Sequence, residues 1–343
     1  MVNLLLALLY PQPATASPTM EVTREAIQMG TFSRVTVSSA DRNSGLLLAG
    51  SALDAIEEAE AVLSTWRSAS EVSAINQAPV DERVLLSPAL IAFLQPAFEL
   101  ARVTGHAFDP GVGALSHAWG VHGSPRIPVQ EERESARLAT GEWSFDLDPA
   151  GGTICRLHPM AALDTGGFGK GAGLDRAGES LRARGARRAL LDLGGQSLAV
   201  GGPFVVGVAH PGDRTRIIAA LSLKDASVAT SGNGERPIGA SGERERHILD
   251  PRTGEPARDF GSVTVVAATG LEADALATAL FVLGPESGLT LAASLPGIEA
   301  LFTITSKDGA LRGLVTPGFS RLLQDVDPIL RLESPADRLA ERR

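Results

Sequence analysis

A chain of 343 residues with 44% hydrophobic residues is long enough to bury a sizeable core and to hold more than one domain. Its formal net charge of −9 argues against nucleic acid as a partner, because neutralising phosphates needs a basic face. A single cysteine, Cys155, excludes a disulfide framework or a thiolate metal site within one chain.

The first residues carry a short apolar run, Leu4 to Leu9, then Pro11, Pro13 and the small-x-small sequence Ala14-Thr15-Ala16. The run is too short to span a bilayer and reads as a weak secretory signal over residues 1–20, although no basic residue precedes it. The expected localisation is periplasmic or otherwise exported. No other segment is expected to cross a membrane.

Met29 to Val37 and Leu46 to Ala49 have strand-like patterns. Ala52 to Ser64 is amphipathic, with Leu53, Ile56, Ala59 and Leu63 at steps of three and four, and predicts a helix. Pro88 to Thr104 predicts another. Residues 121–140 are polar and charged, and an irregular insertion is expected there. Phe145 to Leu157 predicts a hairpin turning at Gly151-Gly152. A glycine-rich turn at Gly166-Gly167 then runs into a helix from Lys170 to Ala183, which exits through the solvated cluster Arg182, Arg184, Arg187 and Arg188.

Leu190–Leu193, Leu198–Val200, Phe204–Ala209 and Ile217–Leu223 are short apolar runs separated by turn residues, the pattern of antiparallel strands. Ser262–Ala267 predicts a strand, Glu272–Leu283 a helix and Ala300–Ile304 a strand. Without regular βαβ alternation, this order indicates an α+β fold with mixed, largely antiparallel sheets and flanking helices. One catalytic unit is expected over residues 21–326, followed by a charged, loosely packed tail over 327–343.

Several segments bear groups that could do chemistry. In Asp164-Thr165-Gly166-Gly167-Phe168-Gly169-Lys170-Gly171 an acid precedes a tight glycine turn and a lysine opens a helix. Such a turn can bring backbone groups to a phosphate or metal, or can simply be a turn. Asp274 and Thr278 are four apart and share a helix face. They offer two hard oxygens to Mg²⁺, or are a back-bonded threonine and a carboxylate that stabilises the helix's first turn. Val228-Ala229-Thr230-Ser231-Gly232, His247 to Gly254 and Phe108-Asp109-Pro110-Gly111 suit either ligand binding or ordinary turn chemistry.

Taken together, these segments resemble the FAD:protein FMN transferases, the ApbE family. The likeness runs over roughly residues 25–320. It rests on Met29-Gly30-Thr31, Ser64-Thr65-Trp66, Ser70 to Asn76, Phe108 to Leu115 ending in Trp119-Gly120, Leu163 to Gly171, Gly194-Gly195, Ala229 to Gly232, His247 to Gly254 and Glu272 to Leu280, in the family's order. The resemblance implies a T-fold-related flavin transferase fold. It implies a Mg²⁺ held by the side chains of Asp274 and Thr278 and the backbone carbonyl at Gly167. It implies that Met29, Trp66, Ala107, Phe108, Asp109, Asp164 and Lys170 bind FAD, the substrate. His247 and Asp274 are the implied catalytic residues, with His247 near the reacting phosphates, where it would assist proton transfer.

The implied reaction moves FMN from FAD to a threonine or serine hydroxyl of an acceptor protein and releases AMP. The implied acceptor is a flavoprotein subunit of a membrane redox complex or a related exported protein, which would bring the chain to the membrane periphery. Two alternatives share the site: hydrolysis of FAD to FMN and AMP, and non-catalytic flavin binding. The chain departs from the family pattern at Gln196, where an acid is common. It departs again at Asn233-Gly234 before Glu235-Arg236, where Asp-Tyr is common.

Overall fold

The computed structural model describes residues 19–232, 247–306 and 308–333. The expected signal segment therefore lies outside the described residues up to residue 18, as do Asn233 to Arg236 and the tail from residue 334.

In chain order, strands β1 (Met20–Gln28) and β2 (Thr31–Ser39) are followed by helices α1 (Arg42–Leu63) and α2 (Glu71–Gln77), strand β3 (Arg83–Leu85) and helix α3 (Pro88–Val103). Helices α4 (Gly113–Trp119) and α5 (Gln130–Leu138) precede strands β4 (Phe145–Asp148) and β5 (Thr153–Arg156) and helix α6 (Gly169–Ala183). Strands β6 (Ala189–Leu193), β7 (Gln196–Val200), β8 (Phe204–His210), β9 (Asp213–Leu223) and β10 (Ser227–Gly232) come next. The short pair β11 (Leu249–Asp250) and β12 (Glu255–Pro256) leads to β13 (Gly261–Ala267), helix α7 (Gly270–Ser294) and strands β14 (Glu299–Thr305), β15 (Leu311–Val315), β16 (Leu323–Val326) and β17 (Leu330–Glu333).

The main sheet runs β1-β2-β6-β7-β10-β13-β14-β15-β17. The described pairings within it are antiparallel except β15 with β17, so the expected α+β class is the observed one. Both faces of its centre are covered. On β13 and β14, Val263, Val265, Ala267, Ala300 and Phe302 pack toward α7. The alternate residues Val266 and Leu301 pack with Val208, Ile218 and Leu221 of the small sheet β16-β9-β8. Cover on two faces leaves β13 buried continuously from Ser262 to Ala267. Helices α1, α6 and α7 lie side by side, with α6 packed against both of the others.

Several expected elements differ. Leu46–Ala49 belongs to α1, not to a strand. Asp41 caps that helix by accepting from the Ser44 amide at 2.9 Å, and Gly45, Ala49, Ala52 and Ile56 continue its buried stripe. A four-residue apolar run cannot by itself tell strand from helix. Met29 is not in a strand: Met29 (φ 49°) and Gly30 (φ 69°) form the two-residue turn of the β1–β2 hairpin. Both central residues at positive φ match the turn type that hairpin twist favours.

The stretch 121–140 contains α5, which buries only Ala136 and so carries no apolar period. From Asp327 the chain is not loose as far as Glu333, because β17 pairs with β15 and Leu330 is buried. The helix expected to end at Leu283 meets a non-helical residue, Gly284, and then resumes to Ser294. α7 is long and apolar enough to cross a membrane, by length and composition. Here it is a core helix, apolar because it packs between two buried clusters.

Candidate active site

The elements converge on a cleft of two adjoining lobes. The larger is a cavity of about 560 Å³ lined by Met29, Glu60, Trp66, Arg67, Thr165 and Lys170 among others. The smaller, about 130 Å³, is lined by Ala107, Phe108, Asp109, Asp164, Gly167, Thr230, Ser231, His247, Asp274 and Thr278 among others. His122, Gly166 and Lys170 line both. Every residue assigned to the site from sequence therefore borders this one cleft.

Local chemistry explains how each wall is held. The hairpin turn is tied to α1 by the Met29 amide, which donates to Glu60 Oε2 at 2.7 Å. Arg67 bridges Glu57 at 2.6 Å and Glu60 at 3.1 Å, while Ser64 Oγ accepts from the amides of Trp66 and Arg67. This anchored corner presents Trp66 to solvent at the cavity rim, 70% exposed, with His122 edge-on 5.3 Å away.

Asp109 and Asp164 are both buried, yet their carboxyls behave oppositely. Asp109 accepts from the Gly111 amide at 2.8 Å and the Glu142 amide at 3.2 Å, and lies 2.8 Å from His106 Nδ1. Burial outweighs these bonds and raises its pKa. At Asp164 burial is again the largest influence, but His122 Nε2 at 2.7 Å and the Gly166 amide at 2.8 Å, helped by Ser116, together outweigh it and lower the pKa. Both acids line the cleft while knitting its loops together.

The glycine turn delivers α6 against α7. Lys170 Nζ lies 3.0 and 3.3 Å from the two Asp274 oxygens, and the Gly171 amide donates to Asp274 Oδ2 at 3.1 Å. One turn along α7 stands Thr278. A Cβ built on Gly167 would lie 3.4 Å from Thr278 Oγ1 and 3.1 Å from the Phe108 ring, so the backbone at Gly167 sits directly beside that hydroxyl. Among the described residues, no three His, Cys, Asp or Glu side chains converge as a metal centre. The oxygen set at this point is instead one buried carboxylate, one hydroxyl and one adjacent peptide. Those are hard donors suited to Mg²⁺, so the residues present fit the ion that the family resemblance implies.

Sequence reading passed over three contributors. His122 was placed in an irregular stretch, and nothing in its neighbourhood signalled the bond to Asp164, 42 residues away. Glu60 reads simply as a polar position of α1. Asp175, on α6, is half-buried and receives the amides of Gly270 at 2.5 Å and Leu271 at 2.9 Å. Gln196 also lies under α7 rather than in the cleft, donating from Nε2 to the Gly270 carbonyl at 2.8 Å. A carboxylate could not make that bond, so the amide suits this chain's local geometry.

Burial pushes the Asp175 carboxyl up from 3.8 to about 6, against the two amides that favour its ionised form. An acid whose pKa is raised by folding contributes stability below its unfolded pKa and loses it as pH rises through the folded value. Chemical denaturation of the wild type and Asp175→Asn between pH 4 and pH 7.5 should therefore show the wild type's relative stability falling. At about 1.4 kcal/mol per pH unit, the fall across this window should reach about 2.5 kcal/mol and level off above pH 7. A pH-independent difference would contradict this assignment.

Comparison with known proteins identifies the family. The family model described as the ApbE family matches residues 29–302. The chain is 32% identical over 314 residues to a FAD:protein FMN transferase of Treponema pallidum, covering 84% of this chain and 85% of that protein. It is 35% identical over 264 residues to one of Rhodobacter capsulatus, covering 74% of this chain but only 50% of that longer protein. Among solved structures, the ApbE protein of Thermotoga maritima superposes with a TM-score of 0.81 at 30% identity, covering 89% of this chain and all of that one. The flavin transferase ApbE of Vibrio cholerae superposes at 0.78 and 28% identity, again over 89% of this chain. With the match spanning the hairpin turn, the glycine turn, the Asp274 helix and most of the sheet, this chain belongs to the ApbE family.

Proposed function

We propose that this protein transfers FMN from FAD to a threonine or serine hydroxyl of an acceptor protein, with Mg²⁺, and releases AMP. One observation carries the reading. Lys170, Asp274, Thr278, the Gly167 backbone and His247 border a small lobe that opens into a cavity large enough for one half of a dinucleotide. The FAD:protein FMN transferase activity of the relatives in Treponema pallidum and Rhodobacter capsulatus supports it.

In this reading Asp274, Thr278 and the Gly167 carbonyl hold the metal. When bound, it supplies neutralisation of the pyrophosphate's charge as the bond to AMP breaks. The chain's own residues do the rest. Met29 and Trp66 bound the larger lobe, and Ala107, Phe108, Asp109 and Asp164 wall the smaller one, so that FAD lies across the neck at Gly166. Lys170 offers its ammonium to the phosphate oxygens. His247 takes the proton from the acceptor hydroxyl as its oxygen bonds to the FMN-side phosphorus. The oxygen shared with the AMP phosphorus leaves on AMP, so the acceptor gains FMN through a phosphoester.

Export of the chain, and an acceptor among exported flavoproteins or flavin-carrying subunits of membrane redox complexes, belong to the same proposal. They rest on the N-terminal apolar run and the family resemblance.

The test is incubation of the purified protein with FAD, Mg²⁺ and a candidate acceptor. The intact mass of the acceptor should rise by one FMN moiety, with in-gel flavin fluorescence and stoichiometric AMP. Rapid AMP release without acceptor would favour a pyrophosphatase. Tight binding of intact FAD, with no AMP under any condition, would favour a flavin-binding protein.

A further inference from the structure

The N-terminal ends of α6 and α7 cross in contact through two glycines. A Cβ on Gly171 would collide with the Gly270 carbonyl, and one on Gly270 with the Gly171 carbonyl. Around this crossing the helices exchange carboxylates. Asp274 of α7 accepts the Gly171 amide of α6 at 3.1 Å. Asp175 of α6 accepts the Gly270 and Leu271 amides of α7 at 2.5 and 2.9 Å. Gln196, from β7, ties the Gly270 carbonyl from the other side at 2.8 Å.

Each carboxylate thus meets the other helix's unsatisfied first-turn amides, where negative charge is most favourable. The register of α7 against α6 decides where Asp274 and Thr278 stand relative to Gly167. Its own cap does not supply that register: Thr269 accepts the Glu272 amide at 3.2 Å within the same helix.

We propose that Asp175, assisted by Gln196, is a positioning residue for the metal site, holding the start of α7 so that Asp274 and Thr278 face the Gly167 backbone. The inference rests on the reading of that trio as the metal ligands. Asp175 touches neither metal nor substrate in this account. It acts through the peptide groups of Gly270 and Leu271, four and three residues before Asp274. Removing such an outer partner typically weakens metal affinity by about 10- to 100-fold.

The experiment titrates Mn²⁺ into the full-length protein, following free Mn²⁺ by electron paramagnetic resonance, with Mg²⁺ as competitor. Wild type, Asp175→Asn, Gln196→Leu, Thr269→Ala and Asp274→Ala are compared, each with its thermal midpoint. Asp175→Asn should weaken Mn²⁺ binding by at least about tenfold and Gln196→Leu several-fold. Thr269→Ala, which loosens the same helix end without touching the crossing, should stay within about twofold of wild type. Metal-free FAD binding, read by flavin fluorescence, should be unchanged in Asp175→Asn.

A lower thermal midpoint with unaltered Mn²⁺ affinity would reduce Asp175 to a helix cap and overturn the proposal. Equal losses in Asp175→Asn and Thr269→Ala would overturn it too. If Asp175→Asn does not fold, Gln196→Leu decides, and unchanged Mn²⁺ affinity in it overturns the proposal. Unchanged Mn²⁺ binding in Asp274→Ala would instead refute the metal-site reading itself, a separate failure.

Discussion

Replacing Asp274 with alanine is expected to lower FMN transfer by on the order of 10³-fold or more while leaving a folded protein. The side chain is 6% exposed, and both its oxygens are engaged by Lys170 and the Gly171 amide. Truncation removes the only acid among the proposed metal ligands. It also leaves the Lys170 ammonium without that partner, at a position where its side chain is 30% exposed and water can compensate. The stability cost should therefore be modest beside the catalytic one. Asp274→Asn separates charge from shape: it keeps an oxygen for the Gly171 amide but cannot replace a carboxylate toward a divalent cation. Its activity should fall nearly as far as that of alanine, with a smaller change in thermal midpoint. The measurement is the rate of flavin-adduct formation by intact mass across a Mg²⁺ series. Retention of more than a tenth of wild-type activity in either variant would remove Asp274 from the metal site.

The second large effect is expected at the helix crossing. Gly171→Ala should destabilise the protein by about 3 kcal/mol and abolish most transfer activity. The added methyl meets the Gly270 carbonyl, the Gly270 carbonyl carbon and the Leu271 amide nitrogen, all of them backbone. No rotamer change can relieve such a clash, so α6 and α7 must separate, carrying Lys170 away from Asp274. Gly173→Ala is the informative comparison. Its added methyl meets the end of the Met29 side chain at 2.9 Å, a flexible group that can swing aside into the cavity. That variant should stay close to wild type in stability and change FAD affinity instead. Urea denaturation and flavin-fluorescence titration of the two variants check the pair. Equal stability of both would mean that the crossing is not tight.

Some of this was legible from residue order alone. Wherever apolar periodicity is local, as in α3, the C-terminal half of α1, β4–β5 and β6 to β9, the pattern carries the element, because burial of one face imposes its period on the sequence. The mixed, non-alternating order of strands and helices likewise carried the α+β class. The boundaries that went astray have physical reasons. Met29 turns a hairpin at positive φ in a residue whose composition does not announce it. α5 buries one side chain and so leaves no stripe. β17 gains its burial from β15, a partner that a short charged-looking stretch cannot declare.

The candidate site divides in the same way. Residue types and their local spacing placed Asp274 and Thr278 on one helix face and put a glycine turn before Lys170, and the ordered resemblance to a family joined them with FAD. What only the tertiary structure decided is how those segments meet. Lys170 and Asp274 are 104 positions apart and His122 and Asp164 are 42 apart, and folding brings each pair within 3.0 Å. Asp175 became visible as the tie on α7 only once α6 lay against it. A sequence records which groups are present and what each helix or strand buries along its own length. Contacts between chain-distant polar groups leave no period in the sequence, because their energy depends on the packing of whole elements, and that packing exists only in the folded chain.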